Sequence, residues 1–181
     1  RWMPKPPRGV PMCAMGVDGS GGGADPLMIA PRYDGWYAPL IEVPGAQLPA
    51  ARLGAVSVGH ILSHRRDEAA IVVDVGGGYG GPVMEKLAEN GIPAFAHKGA
   101  EASMRRTRDR KLAFVNKRSE ISWLFREALD PDQSGGSPIA LPDDSFLRAD
   151  LTALTFEVTP RGIKVVPKEE LKEALGRSPD R

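Results

Sequence analysis

Two stretches of this 181-residue chain share one design. "MGVDGSGGGAD" (15–25) runs an apolar segment into Asp18 and then into glycines, and "AAIVVDVGGGYGG" (69–81) does the same around Asp74. A carboxylate ending a buried strand is costly unless it meets a cation or is well hydrogen-bonded. Glycines beyond it let other backbone approach closely. Carboxylates converging from adjacent strands offer the hard oxygen donors that Mg²⁺ prefers. A third acid, Asp180, stands in "SPD", in the first turn of a helix that Ser178 would cap and Pro179 would open. Two ions about 4 Å apart on such acids would activate water and stabilise the leaving oxygen of a phosphodiester. Each aspartate taken singly has a plainer reading, as a turn-former or a helix cap.

The glycines do not form a phosphate loop of a known kind. No Lys-Ser or Lys-Thr follows them, so the P-loop pattern is absent. A dinucleotide-type site would put pyrophosphate where Asp74 places a negative charge. The next strand ends in His97-Lys98, where such a site would carry an acid for a ribose.

The formal net charge is only +1, but it is unevenly spread. Between Lys98 and Arg118 there are eight basic residues against Glu101 and Asp109 alone. A basic stretch on a near-neutral chain suits polyanion contact, and its alternative is a solvated loop with no partner. Arg105, Arg106, Arg108, Arg110 and Lys111 would grip phosphates without reading sequence. Lys117 and Arg118 open a helix, where cations oppose the helix dipole, which favours a ligand role. Glu120 suits a capping acid of that helix or a group behind the metals. His60 and His64 have the four-residue spacing of helical metal ligands, but no Glu follows His60 and no third ligand is apparent. His97 ends a strand near the acids and is a candidate for substrate contact. Asp25, in "ADP", reads as a turn. Trp36, Tyr37 and Trp123 read as packing residues, and Cys13 as an inert residue of a buried strand.

The elements that must position these groups follow from periodicity. Strands are expected at 12–18, "LMIAPR", "WYAPLIEV", 69–75 and "IPAFAH", the fourth buried on both faces and the fifth also buried. Helices are expected through most of 46–65, over "GPVMEKLAENG" with a stop at Asn90-Gly91, over 116–130, in "DDSFLRADLTAL" capped by Asp143 or Asp144, and in "KEELKEALG". On the helix at 116–130, Ile121, Leu124, Phe125, Ala128 and Leu129 share a face. "TFEVTPRGIKVVP" reads as a hairpin, and 98–111 as a loop. An antiparallel meander followed by alternating strands and helices predicts a mixed α/β sheet with helices on both faces.

Composition bounds the class. Forty-one per cent of residues are hydrophobic and 26% charged, which suits one globular domain with a real core. No apolar run is long enough to span a bilayer. The single cysteine excludes an internal disulfide or a cysteine-zinc cluster and fits a reducing compartment. Residues 1–11 are Pro-rich and read as a linker or arm; the first residue, Arg1, and the helix start near the end suggest an excised domain.

"GVDGSGGGAD" (16–25), "IVVDVGGGYGGPVMEKLAENGI" (71–92), "FVNKRSEISWLFREAL" (114–129), "IALPDDSFLRADLTAL" (139–154) and "GRSPD" (176–180) together resemble, in order, the nuclease domain of the large terminase subunit of tailed bacteriophages. The resemblance implies a ribonuclease H-like fold over 12–181 and a metal-dependent endonuclease that cuts concatemeric viral DNA during packaging. It implies that Asp18, Asp74 and Asp180 are catalytic metal ligands holding two Mg²⁺ or Mn²⁺ ions. It also implies double-stranded DNA as substrate, with Arg105, Arg106, Arg108, Lys117 and Arg118 as DNA contacts. The implied partners are an N-terminal ATPase domain joined through residues 1–11, the portal and the small terminase subunit. The implied setting is the cytoplasm of an infected bacterium, with no membrane. In the family "SPD" continues into a helix with a second acid, beyond the last residue here. Two other readings stay open: a different ribonuclease H-like nuclease, such as a junction resolvase or hybrid nuclease, and a DNA-binding module whose acids only form turns.

Overall fold

The computed structural model describes residue 5 and residues 7–177. The chain divides into two compact units, one over Met3–His97 and one from Lys98 onward.

The first unit is built on a mixed sheet. Strand β1 (Ala14–Asp18) pairs antiparallel with β2 (Leu27–Tyr33), which pairs with the short strands β3 (Trp36–Tyr37) and β4 (Ile41–Val43). On its other side β1 pairs parallel with β5 (Ala70–Asp74), and β5 pairs parallel with β6 (Ala94–His97). The order is β3-β2-β1-β5-β6, with β4 also on β2. A hairpin turns at "YDG": Tyr33 faces Trp36, and Asp34 takes φ 50°.

Alternation along the strands decides what faces what. Met15 and Val17 on β1 and Ile71 and Val73 on β5 are buried. They form one core with Val58 and Ile61 of helix α1 (Leu53–His64) and Val83 and Leu87 of helix α2 (Gly80–Glu89). Burying side chains of this size stabilises by roughly 1.5–3 kcal/mol each. Residues of the opposite parity, Gly16, Asp18, Val72 and Asp74, therefore look away from α1 and α2. Helix α2 stops as its sequence predicts, with Asn90 as C-cap and Gly91 at φ 67°.

Several expectations need correction. "WYAPLIEV" is two strands, because Pro39 lies in the break between β3 and β4. Only 53–64 of the expected helix at 46–65 is α-helical. Pro44 and Pro49 precede two separate 3₁₀ turns, Gly45–Gln47 and Ala50–Arg52. Strand β5 is not buried on both faces, since Val72 is 37% exposed, and on the edge strand β6 Phe95 is 64% exposed. Cys13 is exposed rather than buried, one residue before β1; its Sγ accepts from the Asp34 amide at 3.3 Å.

The second unit holds helices α3 (Lys117–Leu129), α4 (Ser145–Ala153) and α5 (Lys168–Leu175) and a hairpin of β7 (Phe156–Thr159) and β8 (Gly162–Val165). Asn116 caps α3 by accepting from Ser119 N and Oγ, and Ser119 Oγ in turn accepts from Val165 N, which ties α3 to β8. The expected apolar face of α3 is only partly covered, with Ile121 exposed. Asp144 is the α4 cap; Asp143 pairs with Arg148 instead. Gly176 ends α5 in the left-handed conformation that its C-cap requires. Among the described residues no helix is long and apolar enough to cross a membrane.

Candidate metal centre

Strands β1 and β5 run parallel in zero-offset register, and the last pair of that register is Asp18 with Asp74. Paired residues of neighbouring strands project to the same side, with the strands about 4.8 Å apart. Both carboxylates thus leave the carboxyl ends of adjacent strands, on the face opposite α1 and α2. Asp18 is exposed and Asp74 half-buried. The next strand continues the row, since His97 is the partner of Asp74 on β6.

The glycine loops are close-packed around this pair. A Cβ on Gly80 would lie 2.1 Å from the Asp74 carbonyl oxygen, and one on Gly19 would lie 2.9 Å from that of Tyr79. A Cβ on Gly21 would strike the Tyr79 ring at 2.5 Å. The β1–β2 and β5–α2 loops therefore lock together directly after the two acids. Gly77 and Gly78 take φ 78° and 93°, which lets the chain reverse between β5 and α2. Asp74 Oδ1 accepts from Gly76 N at 2.8 Å, which fixes the carboxylate's direction and leaves Oδ2 available.

Two carboxylates at the ends of adjacent parallel strands, one exposed and one half-buried, suit a hard divalent cation that keeps several waters. Among the described residues no group of three or more His, Cys, Asp or Glu side chains converges on a metal geometry. That includes His60 and His64, both half-buried on α1. Asp180, the expected third ligand, lies outside the described residues.

The basic candidates belong to the second unit, and several already have protein partners. Lys117 pairs with Glu101 at 2.5 Å and Arg105 with Glu120 at 3.6 Å. Arg108 donates to the Glu127 carbonyl at 2.7 Å. Exposed pairs of this kind contribute little and exchange readily. The side chains of Arg106 and Arg118 have no partner among the described residues. Glu120 also accepts from Ser103 Oγ at 2.7 Å, so it braces the basic loop rather than capping α3. Asp109 sits below the ordinary carboxylate pKa, mainly because Thr107 donates to it.

Trp36 is buried, and Trp123 packs edge-on against Phe156 with ring centroids 4.5 Å apart. Both are packing residues, as expected. Two features were not anticipated. Tyr79 is half exposed where the two glycine loops meet, and its signal was present as the one large side chain in "GGGYGG". Asp150 is buried against Arg177, a pair too distant in sequence to be read locally.

The mixed sheet with carboxylates ending its first strand and the parallel strand beside it defines a ribonuclease H-like α/β domain. Solved structures that share this fold include nuclease domains of phage large terminase subunits, the family that the sequence resembles. The nuclease domain of the large terminase subunit gp2 of bacterial virus Sf6 superposes with a TM-score of 0.64 at 19% identity, over 99% of this chain and 86% of that one. A point mutant of that domain with manganese and beta-thujaplicinol gives 0.66 at 17% identity, over 93% and 84%. The large terminase nuclease of the thermophilic phage G20c with bound magnesium gives 0.51 at 18%, over 99% and 92%. No family model matches the chain, and no curated protein matches it in sequence.

Proposed function

We propose that the chain is a metal-dependent DNA endonuclease of the large terminase type. The observation that carries the reading is the in-register pair Asp18 and Asp74 at the carboxyl ends of β1 and β5. The shared fold with terminase nucleases, two of them holding manganese or magnesium, supports it. Asp18 and Asp74 would hold Mg²⁺ or Mn²⁺, with Asp180 completing a two-ion site. When bound, such ions supply an activated water and charge stabilisation for the leaving oxygen. Asp74 is held to its task by the Gly76 amide, so little side-chain freedom is lost on binding a cation. Gly19 and Gly80 let the two loops after the acids pack directly on one another, which holds both strand ends in place. Arg106 and Arg118 would hold flanking phosphates, and Arg105, Arg108 and Lys117 would join them by exchanging their protein partners for phosphate.

On this reading the substrate is concatemeric double-stranded viral DNA and the setting is an infected bacterial host. The ATPase domain, the portal and the small terminase subunit would be partners of the full protein. The test is cleavage of supercoiled plasmid by the wild type and by Asp74→Ala in Mg²⁺, in Mn²⁺ and in EDTA. Metal-dependent nicking by the wild type and its loss in the variant is the expected result. Cleavage unchanged in Asp74→Ala refutes the site. DNA binding with no cleavage in any metal favours the reading in which the aspartates are turn-formers.

A further inference from the structure

Tyr79 lies where the two glycine loops meet. Its carbonyl abuts Gly19, the residue after Asp18, and the next residue, Gly80, abuts the carbonyl of Asp74. Its ring edge rests on Gly21 so closely that a methyl group there would sit 2.5 Å from Cε1 and 2.7 Å from Cζ. The residue is nonetheless 49% exposed. A large aromatic side chain in a run of glycines is not needed to make the turn, since Gly77 and Gly78 supply the positive φ. It also adds nothing to the core formed with α1 and α2. What the arrangement does is hold an exposed aromatic ring against Gly21, in the loop that directly follows Asp18.

We propose that Tyr79 is a substrate-positioning residue whose exposed ring face receives the sugar or base of the nucleotide flanking the phosphate at Asp18 and Asp74. This rests on the nuclease reading above. Aromatic faces suit that role because every nucleotide offers an apolar face, so contact is made without sequence preference. Backing by Gly21 fixes the ring before substrate arrives and removes the ordering cost of a free side chain. Gly21 is thus part of the same device, absent a side chain so that the ring can lie down.

The experiment measures two things on the whole chain. One is affinity for a short fluorescein-labelled DNA duplex in Ca²⁺. The other is KM and kcat for plasmid nicking in Mn²⁺. Tyr79→Ala is expected to weaken binding and raise KM by about ten-fold, within the range of one aromatic–nucleotide contact, with kcat little changed. Tyr79→Phe is expected to match the wild type, because the ring face and not the hydroxyl makes the contact. Gly21→Ala is expected to push the ring aside and reproduce the Tyr79→Ala defect, with no further loss when the two are combined. Wild-type affinity and KM in Tyr79→Ala overturn the proposal. So does a fall in kcat alone, which would make Tyr79 a prop for Asp74, and so does full additivity with Gly21→Ala. Failure of the nuclease reading is distinguished by the wild type binding the duplex but not nicking, and duplex affinity alone then decides for or against Tyr79.

Discussion

Gly80 and Gly81 are neighbours in the first turn of α2, and the structure gives them opposite expected responses to alanine. Alanine in a helix gains about 1 kcal/mol over glycine at an interior position, partly by restricting the unfolded chain. At Gly81 nothing lies within 4 Å of the new methyl group and φ is ordinary, so Gly81→Ala should stabilise by about 0.5 kcal/mol, the smaller figure suiting a first-turn position. At Gly80 the methyl carbon would sit 2.1 Å from the Asp74 carbonyl oxygen and 3.0 Å from Val75 Cα. Real Cβ atoms essentially never come closer than 3.0 Å, so the first contact is short by 0.9 Å. Both opposing atoms are backbone, with no side chain to swing away. Overpacking of this kind costs about 1–3 kcal/mol, which outweighs the helix gain. Gly80→Ala should therefore lose roughly 1–2 kcal/mol. The assay is urea denaturation followed by far-UV circular dichroism, comparing midpoints at equal slope. Gly80→Ala as stable as Gly81→Ala would refute the claim that the β5–α2 loop is seated on Asp74.

Two further substitutions test the packing. Ser57 on α1 is fully buried and its hydroxyl has no hydrogen-bond partner among the described residues, so Ser57→Ala should gain about 1 kcal/mol and raise the melting temperature by a few degrees. A loss of that size would mean that the hydroxyl is satisfied. Asp150 is 4% exposed and paired with Arg177, so Arg177→Ala should cost about 2–3 kcal/mol by stripping a buried carboxylate of its guanidinium. Adding Asp150→Asn should recover part of the loss in the same thermal melt, because the buried charge is then gone. Equal stability of the single and double variants would refute that account.

Most of the elements were legible because their signals are local. Asn90-Gly91 ends α2, Asp144 caps α4, and "YDG" turns β2 into β3, each by the chemistry of residues next to the boundary. The acids were legible for the same reason, since a strand run ending in Asp and glycine is visible in one window. Misreadings occurred where the outcome depends on what lies across space. The run "AAIVVDV" looks doubly buried, yet Val72 is 37% exposed because a residue's cover is set by elements elsewhere in the chain. The Arg and Lys excess at 98–118 looked unopposed, but Glu120 pairs with Arg105 from later in the chain, and the Glu127 carbonyl accepts from the Arg108 guanidinium. The break at Pro49 was local and could have been read, since proline has no amide to continue a helix. Tyr79 was not legible for the same spatial reason: the glycine its ring rests on, Gly21, lies in a loop far away in sequence.

The placement of the two carboxylates follows from the core rather than from any contact between them. Side chains alternate along a strand, so sliding β5 by one residue against β1 would turn Asp74 toward α1 and α2. That slip would also turn Ile71 and Val73 outward, exposing two side chains that are fully buried against Val58, Ile61, Val83 and Leu87. At roughly 1.5–3 kcal/mol for each side chain, plus the cost of a buried, unpaired carboxylate, the slipped register is excluded many times over. Met15 and Val17 fix β1 by the same reasoning, and with both strands fixed the final pair of the ladder must be Asp18 with Asp74. Two acids that would repel one another in isolation are thus held side by side by apolar residues on the opposite face. The positions of both acids are thus set by the core of the sheet.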